Sequence, residues 1–173
     1  VESITDILDA TERAVRTQHD PSPGSMLRVG VAPCSPFSVS TDLLRQAADL
    51  ARRLGVRLHT HGSETVEEEQ YCHDLFGMGP TDYLDSVGWL GPDVWMAHCV
   101  HLGDTDIERF AATGTGVAHC PSSNARLGAG IARLPEMLAA GIPVGLGVDG
   151  TAFKEEGSRG AAATAVQISA VAH

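Results

Sequence analysis

The sequence predicts a parallel α/β fold. Strand-like and helix-like runs alternate along most of the 173 residues. The strand-like runs are continuously apolar rather than alternating in and out, as in a sheet covered by helices. Five of them lead into a polar or reactive side chain, at Cys34, His61, His98, His119 and Asp149. These recur at intervals of roughly 30 residues, the length of a strand–helix–strand unit.

The elements follow in order. Residues 3–17 have the spacing of an amphipathic helix and lack the basic start and apolar block of a signal peptide. Asp20–Ser25 is a loop cluster, and Met26–Pro33 reads as a short strand. Ser40 and Thr41 are candidate caps for a helix that stops at Gly55. Val56–His61 is the next strand. The run VEEEQYCHDLFG has the acidic first turn of a helix and ends at Gly77. TDYLDSVGWL is a further short helix, and a strand runs from Asp93 to about Cys99. Helix TDIERFAATG, strand GTGVAHCP, helix IARLPEMLAAG and strand Ile142–Gly150 complete the pattern. Beyond Gly150 the chain is rich in alanine, glycine and small polar residues, with Ala161–Ala172 as a weak helical stretch.

Composition narrows the function. Apolar residues make up 43% and charged residues 20%, which fits a packed single domain. Twelve basic residues against 22 acidic ones give a net charge of −10, which argues against nucleic acid or an anionic membrane surface as partner. No apolar run is long enough to span a bilayer. Cys34, Cys72, Cys99 and Cys120 form no CxxC pair, so a reducing, cytoplasmic setting is expected.

In parallel α/β folds the C-terminal strand ends line up on one face, where catalytic groups gather. His59 and His61 point to the same side, with His61 nearer that face. His61 is either a metal ligand or a hydrogen-bonded structural histidine. With Asp149 it offers nitrogen and hard oxygen to one divalent metal, zinc first and iron second. His59 reads as a packing group or a support behind the ligands. Glu64 is either an acid at a helix start, beside Glu67, Glu68 and Glu69, or a proton shuttle. His98 and His119 are either pocket-lining or structural, and His101 is a loop residue. Ser122, Ser123 and Asn124 either bond a polar ligand or form a turn.

Together LHTHGSET, WMAHCVHL, GVAHCPSSNARLGAGIA and PVGLGVDG resemble the amidohydrolase superfamily, in its deaminase and chlorohydrolase branch. The stretch DPSPGSMLRVGVAPCSPFSVS is similar to the 8-oxoguanine deaminase group. The resemblance runs from about Ile4 to Gly150. It implies a (β/α)₈ TIM barrel, of which this chain supplies about strands 4 to 8. Residues 1–150 would be the C-terminal part of that barrel and 151–173 a divergent tail.

By the same resemblance, His61 binds the metal and Glu64 is the catalytic glutamate. His98 contacts the metal's water or the substrate. Asp149 binds the metal and takes a proton from water. Cys34 lies where the loop after the fourth strand meets substrate, and Asn124 lies in the loop after the seventh. The implied reaction is hydrolytic deamination of a small heterocycle such as 8-oxoguanine, with s-triazine chlorohydrolase or aminohydrolase chemistry as the alternative.

Two departures stand out. The family's first strand ends in an HxH pair, and that strand is absent. Gly62 and Ser63 also replace a larger apolar residue and an alanine. A fragment lacking two metal ligands, inactive alone and prone to form a homo-oligomer or pair with a complementing chain, is therefore the rival expectation.

Overall fold

The computed structural model describes residues 2–149. The expected tail over 151–173 and Gly150 lie outside the described residues. Helix α1 (Ile4–Gln18) opens on a capping box, with Ser3 and Asp6 bonding each other's backbone N–H. Helix α2 (Thr41–Leu54) is capped by Ser40 and stops where Gly55 turns left-handed at φ 69°. Its buried face of Leu44, Ala47, Ala48 and Ala51 packs into the main core.

Among the described residues four strands follow: β1 (Leu58–Gly62), β2 (Val94–His98), β3 (Gly116–His119) and β4 (Val144–Leu146). All pairings are parallel, in the order β1-β2-β3-β4. A doubly wound sheet would reverse its order part-way. A sequential order is that of a barrel wall. Between strands lie α3 (Val66–Phe76), α4 (Pro80–Ser86), α5 (Asp104–Thr113), α6 (Pro121–Leu127) and α7 (Leu134–Ala139).

The core sits between strands and helices, around Leu44, Leu58, Trp89, Met96, Phe110 and Met137. The buried Trp89 indole donates to the Leu44 carbonyl at 2.9 Å, so its one polar atom is satisfied.

Four expectations need correction. Met26–Pro33 is not a strand: only Val31 bridges to Leu58. Val31 N–H bonds Arg57 O and His59 N–H bonds Val31 O, both at 2.9 Å. The next donor would be Pro33, which has no N–H. The ladder slips, and His61 N–H bonds Cys34 O instead. Ser122, Ser123 and Asn124, read as ligand-bonding or turn residues, lie on α6, which opens on Pro121 and stops at Gly128. The last strand covers Val144–Leu146 rather than Ile142–Gly150, and the preceding helix covers Leu134–Ala139. Finally, burial alternates along β1: Leu58, Thr60 and Gly62 are buried, while His59 and His61 are half-buried on the other face. The helices cover one face of the sheet, so the continuous apolar runs do not mean equal burial on both faces.

Candidate metal centre and active site

Each strand end delivers a polar group to one rim. β1 places His61 and, past Gly62 and Ser63, Glu64. β2 ends on His98, and the segment after β4 reaches Asp149. The backbone at these ends is unusual. Ser63 (φ 48°), His98 (φ 71°), Cys99 (φ 51°) and Asp149 (φ 55°) are the described non-glycine residues with positive φ. Such angles cost about 1–3 kcal/mol each and collect at functional sites.

The side chains converge. His61 Nε2 is 3.7 Å from Asp149 Oδ1, and His98 Nε2 is 3.6 Å from Glu64 Oε1. The rings of His61 and His98 stack at 5.2 Å. One ligand atom from each of His61, His98 and Asp149 falls within 4.8 Å of the other two.

The opposite sides of these groups are held. His61 Nδ1 donates to the Cys34 carbonyl at 2.6 Å, with Cys34 Sγ at 3.8 Å. His98 Nδ1 lies 2.8 Å from Asn124 Oδ1. An amide oxygen only accepts, so this nitrogen carries the proton. Both imidazoles therefore turn an Nε2 lone pair toward the rim, as metal-ligating histidines do. Ser123 Oγ donates to Asp149 Oδ2 at 2.5 Å. Two nitrogens and a carboxylate oxygen suit a divalent cation such as zinc. The donor chemistry thus fits the implied metal.

A pocket of about 410 Å³ opens beside His61 and Asp149, lined also by His59, Trp95, Ala118 and Cys120. That volume is within the range of small-molecule sites.

The remaining predicted residues separate clearly. Cys34 is exposed and adjoins the site through its carbonyl and thiol. Asn124, expected in a loop, lies on α6, 1% exposed, behind His98. His59 stacks on Trp95 at 4.8 Å and bonds its carbonyl, the packing position expected for it. Burial holds the His59 imidazole below the usual histidine range. His101 Nε2 lies 2.8 Å from the Ala129 carbonyl, away from the cluster. His119 is buried and its Nδ1 has no hydrogen-bond partner among the described residues. Burial, then the neighbouring His98, lowers its pKa.

The sequence marked Glu68 only as an acid at a helix start and Ser123 only as a ligand-bonding or turn residue. Glu68, one of three acids in the α3 first turn, is 2% exposed and receives the N–H groups of Ser63 and Glu64. Burial pushes its carboxyl above the usual range. A run of acids gives no signal of which one turns inward. The Ser123 contact with Asp149 depends on α6, which was itself not expected.

The fold and rim define a stretch of parallel α/β barrel wall carrying a histidine–carboxylate cluster at its C-terminal mouth. The chain belongs to the amidohydrolase family, whose model matches residues 2–171. It is 49% identical over 155 residues to the 8-oxoguanine deaminase of Pseudomonas aeruginosa, covering 90% of this chain and 34% of that protein. It is 45% identical over 154 residues to the hydroxydechloroatrazine ethylaminohydrolase of Pseudomonas sp. (strain ADP), covering 89% and 32%. Among solved structures, the zinc complex of the atrazine chlorohydrolase from Arthrobacter aurescens TC1 superposes with a TM-score of 0.86 at 33% identity, covering 91% and 35%. The chain thus spans about a third of the length of these relatives. Its sheet is part of an amidohydrolase-type (β/α)₈ barrel.

Proposed function

We propose that this chain carries part of the active site of a metal-dependent hydrolytic deaminase. Its substrate would be a small purine-like ring such as 8-oxoguanine, and its products the oxo ring and ammonia. The observation that carries this reading is the convergence of Glu64, His98, His61 and Asp149 from separate strand ends onto one rim. The 49% identity to an 8-oxoguanine deaminase supports the substrate class.

His61 and Asp149 would hold the cation, with zinc the first choice, iron the second, and His98 within reach. A divalent cation there supplies Lewis acidity and lowers the pKa of water toward about 7. Asp149 accepts the proton that water loses as its oxygen bonds to the ring carbon bearing the amino group. Glu64 gives a proton to the ring nitrogen and then serves the departing amine, which leaves as ammonia as the carbon–nitrogen bond breaks. His98, between Glu64 and Asn124, stabilises charge developing on the oxygen. Cys34 borders the substrate, and Asn124 acts from behind His98 by holding its imidazole.

The test is metal content together with ammonia release. About one equivalent of zinc or iron, with release abolished by chelation, is expected. Glu64→Gln should keep the metal and lower turnover about a hundredfold or more. Asp149→Asn should weaken both. An active Glu64→Gln enzyme removes Glu64 from the chemistry, and a chain that takes up no metal favours the inactive-fragment reading. Identity to the ethylaminohydrolase favours s-triazine substrates as the second reading. Release of alkylamine or chloride, in place of ammonia, would select it.

A further inference from the structure

Glu68 is the buried carboxylate of the described chain, and its placement differs from that of an ordinary helix cap. In α1 and α5 the acids Asp6 and Asp106 bond the backbone N–H of the capping residue itself, at exposed or half-exposed positions. In α3 the cap is Thr65, whose hydroxyl accepts the Glu68 N–H at 3.3 Å. The Glu68 side chain reaches past Thr65. Oε1 accepts the Ser63 N–H at 3.0 Å, and Oε2 accepts the Glu64 N–H at 2.8 Å. Both oxygens are thus committed to the two residues that turn the chain out of β1.

That turn is strained. Ser63 sits at φ 48° and is 3% exposed. Its N–H is a buried donor and that of Glu64 a part-buried one, and a buried donor left unmet costs about 1–3 kcal/mol. An ionised carboxylate makes stronger bonds to N–H groups than a neutral acceptor does. The turn also carries the Glu64 carboxyl to 3.6 Å from His98.

We propose that Glu68 is a positioning residue, holding the Ser63–Glu64 turn in the left-handed conformation that aims Glu64 at His98. The proposal rests on the catalytic reading of Glu64 given above. Glu68 touches neither substrate nor metal and acts through Glu64. Glu68→Gln keeps the size but turns one acceptor into an NH₂ group facing a donor. Glu68→Asp keeps the charge on a shorter arm.

Two measurements on the 173-residue chain test this. The first is independent of turnover. The Glu64 carboxyl, labelled with ¹³C, should shift when His98 is replaced by alanine, and this response should vanish in a Glu68→Gln background. A response that persists there overturns the proposal. The second is kinetic. Glu68→Gln should lower kcat by about a hundredfold, with KM and metal content unchanged. The double variant with Glu64→Gln should be no slower than Glu64→Gln alone, because one residue works through the other. Losses that multiply, or full turnover in Glu68→Gln, overturn it. If Glu68→Gln does not fold, Glu68→Asp is read by the same two measurements, with partial recovery expected. A wild-type chain that releases no ammonia favours the inactive-fragment reading, while the carbon resonance still decides the role of Glu68.

Discussion

At the scale of single residues, the four cysteines separate by environment. Cys34 is exposed, and Cys72, Cys99 and Cys120 are buried. Burial, with Glu68 and Glu69 nearby, pushes the Cys72 thiol up to about 12, and burial raises Cys120 to about 11. Cys99 is raised as well, again by burial. Since the thiolate is the reactive form, iodoacetamide at neutral pH should label Cys34 alone. Mass spectrometry should show one adduct on the folded chain and four after unfolding. More than one adduct on the folded chain would contradict the burial described. Residue identities were legible where chemistry stands at a strand end: His61, Glu64, His98 and Asp149 all come to the rim. What the sequence could not show was the inward turn of Glu68 and the hold of Asn124 on His98, because both depend on side-chain directions across separate elements.

At the scale of elements, the best-read ones carry their own punctuation. α1 and α2 are marked by Ser3 and Ser40 at their starts, and α2 by Gly55 at its end. Their limits follow from capping chemistry rather than from tertiary contacts. The strand expected over Met26–Pro33 fails at one atom, the missing proton on Pro33, which apolar content does not reveal. α6 was missed because Ser122, Ser123 and Asn124 favour turns over helix interiors, although Pro121 at its first position and Gly128 after its end were both in view. Packing supplies the element-scale prediction. Leu44 on α2 is fully buried in the main core. Leu44→Ala should lower unfolding free energy by about 2–5 kcal/mol, read as an earlier urea midpoint with an unchanged slope. A loss below ~1 kcal/mol would place Leu44 outside the packed core.

At the scale of the whole molecule, barrel-type order was legible through the family motifs, whereas the uneven burial of the two sheet faces was not. Alternating exposure along β1 depends on which elements lie over each face, and strand composition is silent on that. Stability of the metal-free chain should depend on pH through buried histidines. Burial depresses the pKa values of His59 and His119 below the ordinary 6.5. A depressed folded value means their contribution is complete above about pH 6.5 and is lost as pH falls through the folded values. Glu68 has the opposite sign: its raised carboxyl favours the fold at low pH and loses that contribution as pH rises through its folded value. The interval from pH 7.5 to 5.5 spans the ordinary histidine value of 6.5 and lies above the ordinary carboxyl value of 4.5, so the melting temperature should drop across it. A flat profile would mean the two imidazoles are as solvated when folded as when unfolded. The end strand β4 adds a practical consequence. Among the described residues it pairs on one side only, with Gly145 exposed and Leu146 45% exposed. An open strand margin is a template for docking a second molecule. A net charge of −10 keeps copies apart at neutral pH, but that colloidal protection vanishes near the isoelectric point of 5.1. Dilute, mildly alkaline buffer should keep the sample clear, and turbidity should set in as the solution is brought toward pH 5.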